Sequence, residues 1–131
     1  MNADSASQSP SVLLVDDEPD IRELARLFLE MDGLLVNEAE DGSQALERFA
    51  ELNPPPTPSV VILDNRMPGL TGLQVAEKML VIHPEQVIVL FSAFLDRETE
   101  DAASAAGVAV CVSKTEIKRL PEIVRGLLPA A

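Results

Sequence analysis

The chain has 131 residues, enough for one domain with a real core and too few for two ordinary ones. Its 47% hydrophobic and 24% charged residues are those of a globular domain and not of a disordered chain. A formal charge of −12, from 22 acids and 10 bases, speaks against unaided binding to a nucleic-acid backbone; the single cysteine excludes an internal disulfide, and 4 Phe without Trp or Tyr make a poor stacking platform for single strands.

Residues 1–10, MNADSASQSP, read as a flexible polar tail with neither a basic start nor an apolar run. No stretch reaches the roughly 18 apolar residues a membrane helix needs, so the expected compartment is the cytoplasm. Residues 11–15 are a short apolar run ending in acids, a candidate buried strand. Residues 19–32 set Ile21, Leu24, Leu27, Phe28 and Met31 at helical spacing, with Pro19 suited to a first turn and Asp32-Gly33 to a stop. Residues 34–36 restart an extended run, and 43–52 are helical again, with Ala45, Leu46, Phe49 and Ala50 on one side. NPPPTP, residues 53–58, is a stiff connection. A third apolar run covers 59–63. A third helix over 71–82 turns Leu73, Ala76, Met79 and Leu80 inward and ends at His83-Pro84. A fourth run covers 86–91, followed by an Ala-rich helix over 96–106 that Gly107 stops. A fifth run covers 108–112, and a last helix over 121–128 carries Pro121 in its first turn. Strand and helix thus alternate five times. That order predicts a single α/β domain over residues 11–129, with a doubly wound five-stranded parallel sheet covered by helices on both faces.

In such sheets function sits at the carboxyl ends of the strands. Asp16, Asp17 and Glu18 follow the first run, Asp64 the third, Ser92 the fourth, and Ser113 and Lys114 the fifth. Asn37 and Glu38 follow the second, off to one side. Crowded carboxylates repel one another, and a hard divalent cation such as Mg²⁺ resolves the conflict with oxygen ligands. A free carboxylate oxygen beside such an ion can attack phosphorus, while a lysine and a hydroxyl stabilise the equatorial oxygens. Taken singly, each residue has a plainer reading: helix cap, Asx turn, turn serine, surface lysine. Their joint arrival at consecutive strand ends favours the site.

These segments resemble the receiver domain of two-component response regulators, the CheY-like class, over residues 11–128. VLLVDDEPDIRELARLFLE is similar to the family's opening strand, acidic pair and first helix; NEAEDGSQAL to its second strand exit; VVILDNRMPGLTGLQVAEKM to its acceptor segment; VIVLFSA and AAGVAVCVSK to its fourth and fifth strands. The resemblance implies a (βα)5, flavodoxin-like fold and a phosphorylation-activated receiver. In it Asp64 is the phosphoryl acceptor, and Asp17, Asp64 and the Arg66 backbone carbonyl hold Mg²⁺, with Asp16 acting through water. Ser92 and Lys114 stabilise the phosphoryl group. The donor is a histidine kinase, a phosphotransfer protein or a small phosphodonor. The output goes to an unnamed protein target through the face of the fourth helix, fifth strand and last helix; no nucleic acid or membrane is bound directly, and a homodimer stays open.

Two positions depart from the family pattern. Thr115, not Pro, follows Lys114, so a trans bond is expected there. Cys111 stands at the switch position, where the family often has an aromatic, leaving backbone movement near Ser92 and Ala93, or Phe94, to carry the signal. Arg66 flanks the approach of the attacking water. His83 reads as a solvated cap residue, and Cys111 as a packed small side chain and not a redox sensor. Residues 16–51 hold 12 acids and 3 bases, whereas 114–125 hold 4 of the 10 bases, so the last helix is the least acidic surface. No output domain is visible, which leaves a stand-alone regulator or a piece of a longer one. The domain is not expected to be an enzyme beyond its own phosphorylation. The rivals are a phosphorylation-independent interaction module and a Mg²⁺-dependent phosphohydrolase, the latter disfavoured by Arg66 where a second Asp belongs.

Overall fold

The structure, a computed structural model, describes residues 10–52 and 58–128. The tail and the proline-rich connection therefore fall outside the described residues except for Pro10 and Pro58, as does the expected domain limit at 129. Five strands, β1 (Ser11–Val15), β2 (Leu35–Ala39), β3 (Val60–Leu63), β4 (Ile88–Ser92) and β5 (Val110–Ser113), alternate with five helices, α1 (Pro19–Met31), α2 (Gly42–Glu51), α3 (Gly72–Ile82), α4 (Arg97–Ala106) and α5 (Leu120–Leu127). The strands form one parallel sheet in the order β2-β1-β3-β4-β5. The chain winds outward in both directions from the β1–β3 pair, so the crevice at their carboxyl ends is the topological switch point of the sheet.

Two apolar layers hold the helices on. Side chains alternate faces along a strand, and β1 shows the division. Leu13 and Val15 pack with Phe49, Val75, Met79 and Ala103 under α2, α3 and α4. Val12 and Leu14 pack with Ala25, Leu29, Leu120 and Val124 under α1 and α5. Because both faces are covered, β1, β3 and β4 are almost wholly buried, which is why they read as unbroken apolar runs.

Local chemistry sets the helix starts. Asp41 caps α2, accepting from the Gln44 N–H at 2.8 Å, and Asp96 caps α4, accepting from the Thr99 N–H at 2.8 Å. Thr71 and Gln74 form a reciprocal capping box at the start of α3. Gly107 ends α4 in the left-handed region at φ +99°.

Several expected boundaries and faces are corrected. The inward face of α1 is Ile21, Ala25 and Leu29, while Phe28 is half-buried and Leu24, Leu27 and Met31 are exposed. Small Ala25 lets the helix lie close on the sheet and turns the bulkier leucines away. Ala50 is likewise exposed. β2 runs to Ala39, so Asn37 and Glu38 lie within the strand and not beyond it. As an edge strand paired only with β1 it tolerates polar side chains. β4 and β5 start two residues later than expected and include Ser92 and Ser113. A 3-10 segment, Lys114–Arg119, with a break in helical geometry at Glu116, fills what reads as a loop before α5.

Candidate functional site

β1 and β3 deliver the acids side by side. The Asp64 N–H donates to the Val15 carbonyl at 2.9 Å and the Asp16 N–H to the Ala39 carbonyl at 3.2 Å, so the sheet ladder continues into both residues. Carboxylate oxygens of Asp16, Asp17 and Asp64 all lie within 4.8 Å of one another. Asp16 and Asp64 are buried and Asp17 is half-buried. The pair after β1 is not an N-cap: that position belongs to Glu18, whose side chain makes no capping bond.

The residue that follows β5 supplies the counter-charge. Lys114 Nζ stands 2.9 Å from Asp16 Oδ2, 2.9 Å from Glu18 Oε1 and 3.2 Å from Asp64 Oδ2. Thr115 after the lysine does not keep it from the pocket. Its side chain is buried, which works against its charge, but the adjoining Asp16 carboxylate, the hydrogen bond to Glu18 and the nearby Asp64 charge hold its pKa above the ordinary lysine value. The pKa of Asp64 rises too, which for a carboxyl disfavours the charged form. Burial, then the Asp16 charge, push its pKa from 3.8 up to about 7, against the pull of Lys114. The pocket is therefore short of positive charge with only Lys114 in it.

The loop after Asp64 is tightly shaped. Asp64 Oδ1 accepts from the Arg66 N–H at 3.2 Å, and Asn65 accepts from the Gly72 and Leu73 N–H groups through its carbonyl and its side chain. A Cβ at Gly72 would lie 2.5 Å from the Asp64 carbonyl oxygen, so only glycine allows α3 to start against this loop. The Arg66 side chain is exposed and its guanidinium lies 5.3 Å from the centre of the Phe94 ring. No acid stands at this position for a phosphohydrolase.

Ser92, at the end of β4, is buried, and its hydroxyl both donates to the Phe94 carbonyl at 3.1 Å and accepts from the Phe94 N–H at 3.3 Å. Cys111 lies on β5, half-buried against the core, beside a cavity of about 230 Å³ lined by Glu100, Ala103, Ser104 and Val108. Burial, with the Glu100 charge, pushes its thiol pKa up, away from the reactive thiolate. His83 is the C-cap residue of α3 and half-buried, outside the acidic cluster. Glu18 follows the first strand in sequence, but its bond to Lys114 spans 96 positions and has no local signal.

The donor set fits Mg²⁺. Every cluster ligand is a hard oxygen, and Asp16 Oδ2 is buried with no aligned hydrogen bond although Lys114 stands beside it. An ion among these carboxylates relieves their repulsion and satisfies that oxygen.

An acid-lined crevice for a divalent cation, facing a lysine at the switch point of a 2-1-3-4-5 sheet, defines a CheY-like class of α/β domain. The sequence model of the response regulator receiver domain matches residues 12–125. The chain belongs to the response regulator receiver domain family. The positive alginate biosynthesis regulatory protein of Pseudomonas aeruginosa is 36% identical over 118 residues, 88% of this chain and 46% of that protein. The response regulator GacA of Pseudomonas syringae is 39% identical over 60% of this chain and 36% of its own length. The chain thus spans less than half the length of these relatives. The response regulator TrrA of Thermotoga maritima, solved in complex with Mg²⁺ and BeF, superposes with a TM-score of 0.80 at 33% identity, covering 91% of this chain and 99% of that one. The chemotaxis protein CheY4 of Vibrio cholerae, at 23% identity, shares the fold with a TM-score of 0.85 over 92% of this chain and 100% of its own. The domain is a phosphorylation-activated receiver of two-component signalling with Mg²⁺ as its cofactor, and its role is signalling. Among the described residues no helix is long and apolar enough to cross a membrane.

Proposed function

We propose that Asp64 accepts the phosphoryl group. A carboxylate oxygen of Asp64 attacks phosphorus, forming the O–P bond as the bond to the donor's imidazole nitrogen, or to the oxygen of a small phosphodonor, breaks. Asp17, Asp64 and the backbone carbonyl of Arg66 would hold Mg²⁺ directly, and Asp16 through water. The bound ion supplies charge neutralisation on the transferring oxygens. Lys114, at 3.2 Å from Asp64 Oδ2, pairs with the phosphoryl group once it is in place. The Ser92 hydroxyl leaves its bonds with Phe94 to donate to a phosphoryl oxygen, and that movement is the start of the signal. Cys111, on the strand that leads into Lys114, occupies the switch position. The receiver domain spans residues 11–129. It acts in the cytoplasm, takes its phosphoryl group from a histidine kinase or phosphotransfer protein, and signals to a protein target without binding nucleic acid itself.

One observation carries this reading: three carboxylates from two strands crowd within 4.8 Å while one lysine bridges Asp16 and Asp64. Such a cluster costs stability unless a cation and a phosphoryl group belong there. Incubation with acetyl phosphate and Mg²⁺, read by intact mass, should label the wild type with an acid-labile adduct. Asp64→Asn should abolish it; equal labelling of that variant refutes the acceptor assignment.

A further inference from the structure

The Asp16–Asp17 turn is held from outside the carboxylate cluster. Arg22, one turn into α1, donates through Nη1 to the backbone carbonyl of Asp16 at 2.7 Å and through Nε to Glu38 Oε1 at 3.0 Å. Glu38 projects from β2, and its other oxygen pairs with Arg26 at 3.6 Å. Asp16 is thereby fixed at both ends of its peptide unit, its N–H on Ala39 and its carbonyl on Arg22. Arg22 is only 18% exposed in its side chain, and it lines the same cleft of about 490 Å³ as Asp17.

A guanidinium beside a site for a divalent cation is unfavourable by charge alone, since like charges repel. Two features of the structure change that balance. The Arg22 charge is paired with Glu38, so its net field at the cleft is small. Its fork reaches a carbonyl and a carboxylate at once, which a point-charge lysine cannot do with the same rigidity. We propose that Arg22, held by Glu38, is a positioning residue for the magnesium site: a strut from β2 through α1 that sets the Asp16–Asp17 turn in its binding geometry. The inference rests on reading those acids as the Mg²⁺ site. Partners that orient metal ligands from outside typically contribute about 10–100-fold in affinity.

Charge and geometry predict opposite signs, and this decides the test. Mg²⁺ affinity of the full chain is measured by calorimetric titration for wild type, Arg22→Gln, Arg22→Lys, Glu38→Ala, Arg22→Gln/Glu38→Ala and Asp17→Ala. A strut predicts binding weakened roughly 10-fold or more in Arg22→Gln, and clearly weakened in Arg22→Lys although the charge is kept. The double variant should bind as weakly as Arg22→Gln, because the two residues act as one unit. A pure field effect predicts tighter binding in Arg22→Gln, no change in Arg22→Lys, and near cancellation in the double variant; that pattern overturns the proposal. A metal-free readout accompanies it. Hydrogen exchange at the Glu18 amide, which donates to Asp16 Oδ1 at 2.9 Å, should accelerate in Arg22→Lys and Glu38→Ala. Unchanged exchange with unchanged affinity in Glu38→Ala also overturns the strut, whatever the folding of the Arg22 variants. If Asp17→Ala binds Mg²⁺ like the wild type, the magnesium reading itself fails; if it loses binding while every Arg22 and Glu38 variant retains it, only the strut fails.

Discussion

Asp64 is buried against Asp16, and its neutral form is the comfortable one when no metal is bound. Its pKa rises from 3.8 to about 7, so the folded chain keeps a proton there that the unfolded chain releases. The stability this proton contributes is complete below about pH 4 and disappears as pH climbs through about 7. Asp64→Asn imitates the neutral form. In metal-free buffer at pH 8 it should be more stable than wild type by about 1–3 kcal/mol, with the gap narrowing as pH falls toward 5 and vanishing only near pH 4. Mg²⁺ should raise the wild-type melting temperature and leave the variant nearly unmoved. Thermal melts over pH 5–8, with and without Mg²⁺, check both halves.

Lys114 behaves oppositely. Removing it strands three carboxylates that now share its ammonium. Lys114→Ala should cost about 3–5 kcal/mol without metal and impair phosphorylation, whereas exposed Lys118→Ala should stay within about 0.5 kcal/mol. Urea titration and acetyl phosphate labelling compare the two; equal behaviour would remove Lys114 from the site. The acids and this lysine were legible in the sequence because each ends an apolar run. Arg22 was not singled out, since its bond to Asp16 joins a helix face to a backbone carbonyl and leaves no pattern in composition.

Loop and helix geometry around Asp64 rests on one glycine. Gly72 opens α3, and any Cβ there meets backbone atoms of Asp64 and Asn65 that cannot swing away. Gly72→Ala should destabilise by roughly 2 kcal/mol or more, because the start of α3 or the Asp64–Asn65 loop must shift. Gly126, in α5, faces open space, and Gly126→Ala should instead stabilise by about 0.5–1 kcal/mol through helix propensity. Denaturant midpoints separate them; a neutral Gly72→Ala would mean the loop yields more easily than its contacts imply. The same geometry explains which elements could be read beforehand. β1, β3 and β4 are buried on both faces, so their apolar runs mark them within two residues. β2 is an edge strand carrying Asn37 and Glu38, and an apolar-run criterion stops short inside it. For α1, periodicity gave the helix but not its face, because Ala25 and not the larger Leu24 sits against the sheet. The 3-10 segment after Lys114 has no buried residues, and so no apolar period announces it.

Across the fold, the pocket and the α4–β5 surface share two strands. β4 ends in Ser92 and pairs with β5, where Cys111 stands opposite Leu90 and Ser113 opposite Ser92. On the proposed reading, a phosphoryl group that draws Ser92 and Lys114 inward would pull on the carboxyl ends of two adjacent strands. On the α4 side of β5 an open cleft of about 230 Å³ beside Cys111 is lined by Ala103, Ser104 and Val108. By contrast, α1 and α5 close on the opposite layer through Leu29, Leu120 and Val124, all fully buried, and have no slack to take up. Beryllofluoride with Mg²⁺, used as a phosphoryl mimic, should accordingly shift amide resonances at Asp17, Asp64 and Lys114. It should also shift those of Phe94, the first turn of α4 and Val110–Ser113, while the Leu29 and Val124 amides stay near their metal-bound positions. Mg²⁺ alone should reproduce only the first group, since it leaves the Ser92–Phe94 bonds in place. If the mimic moves nothing beyond the acidic loops, the signal does not run through β4 and β5, and Cys111 is a packing residue with no part in switching.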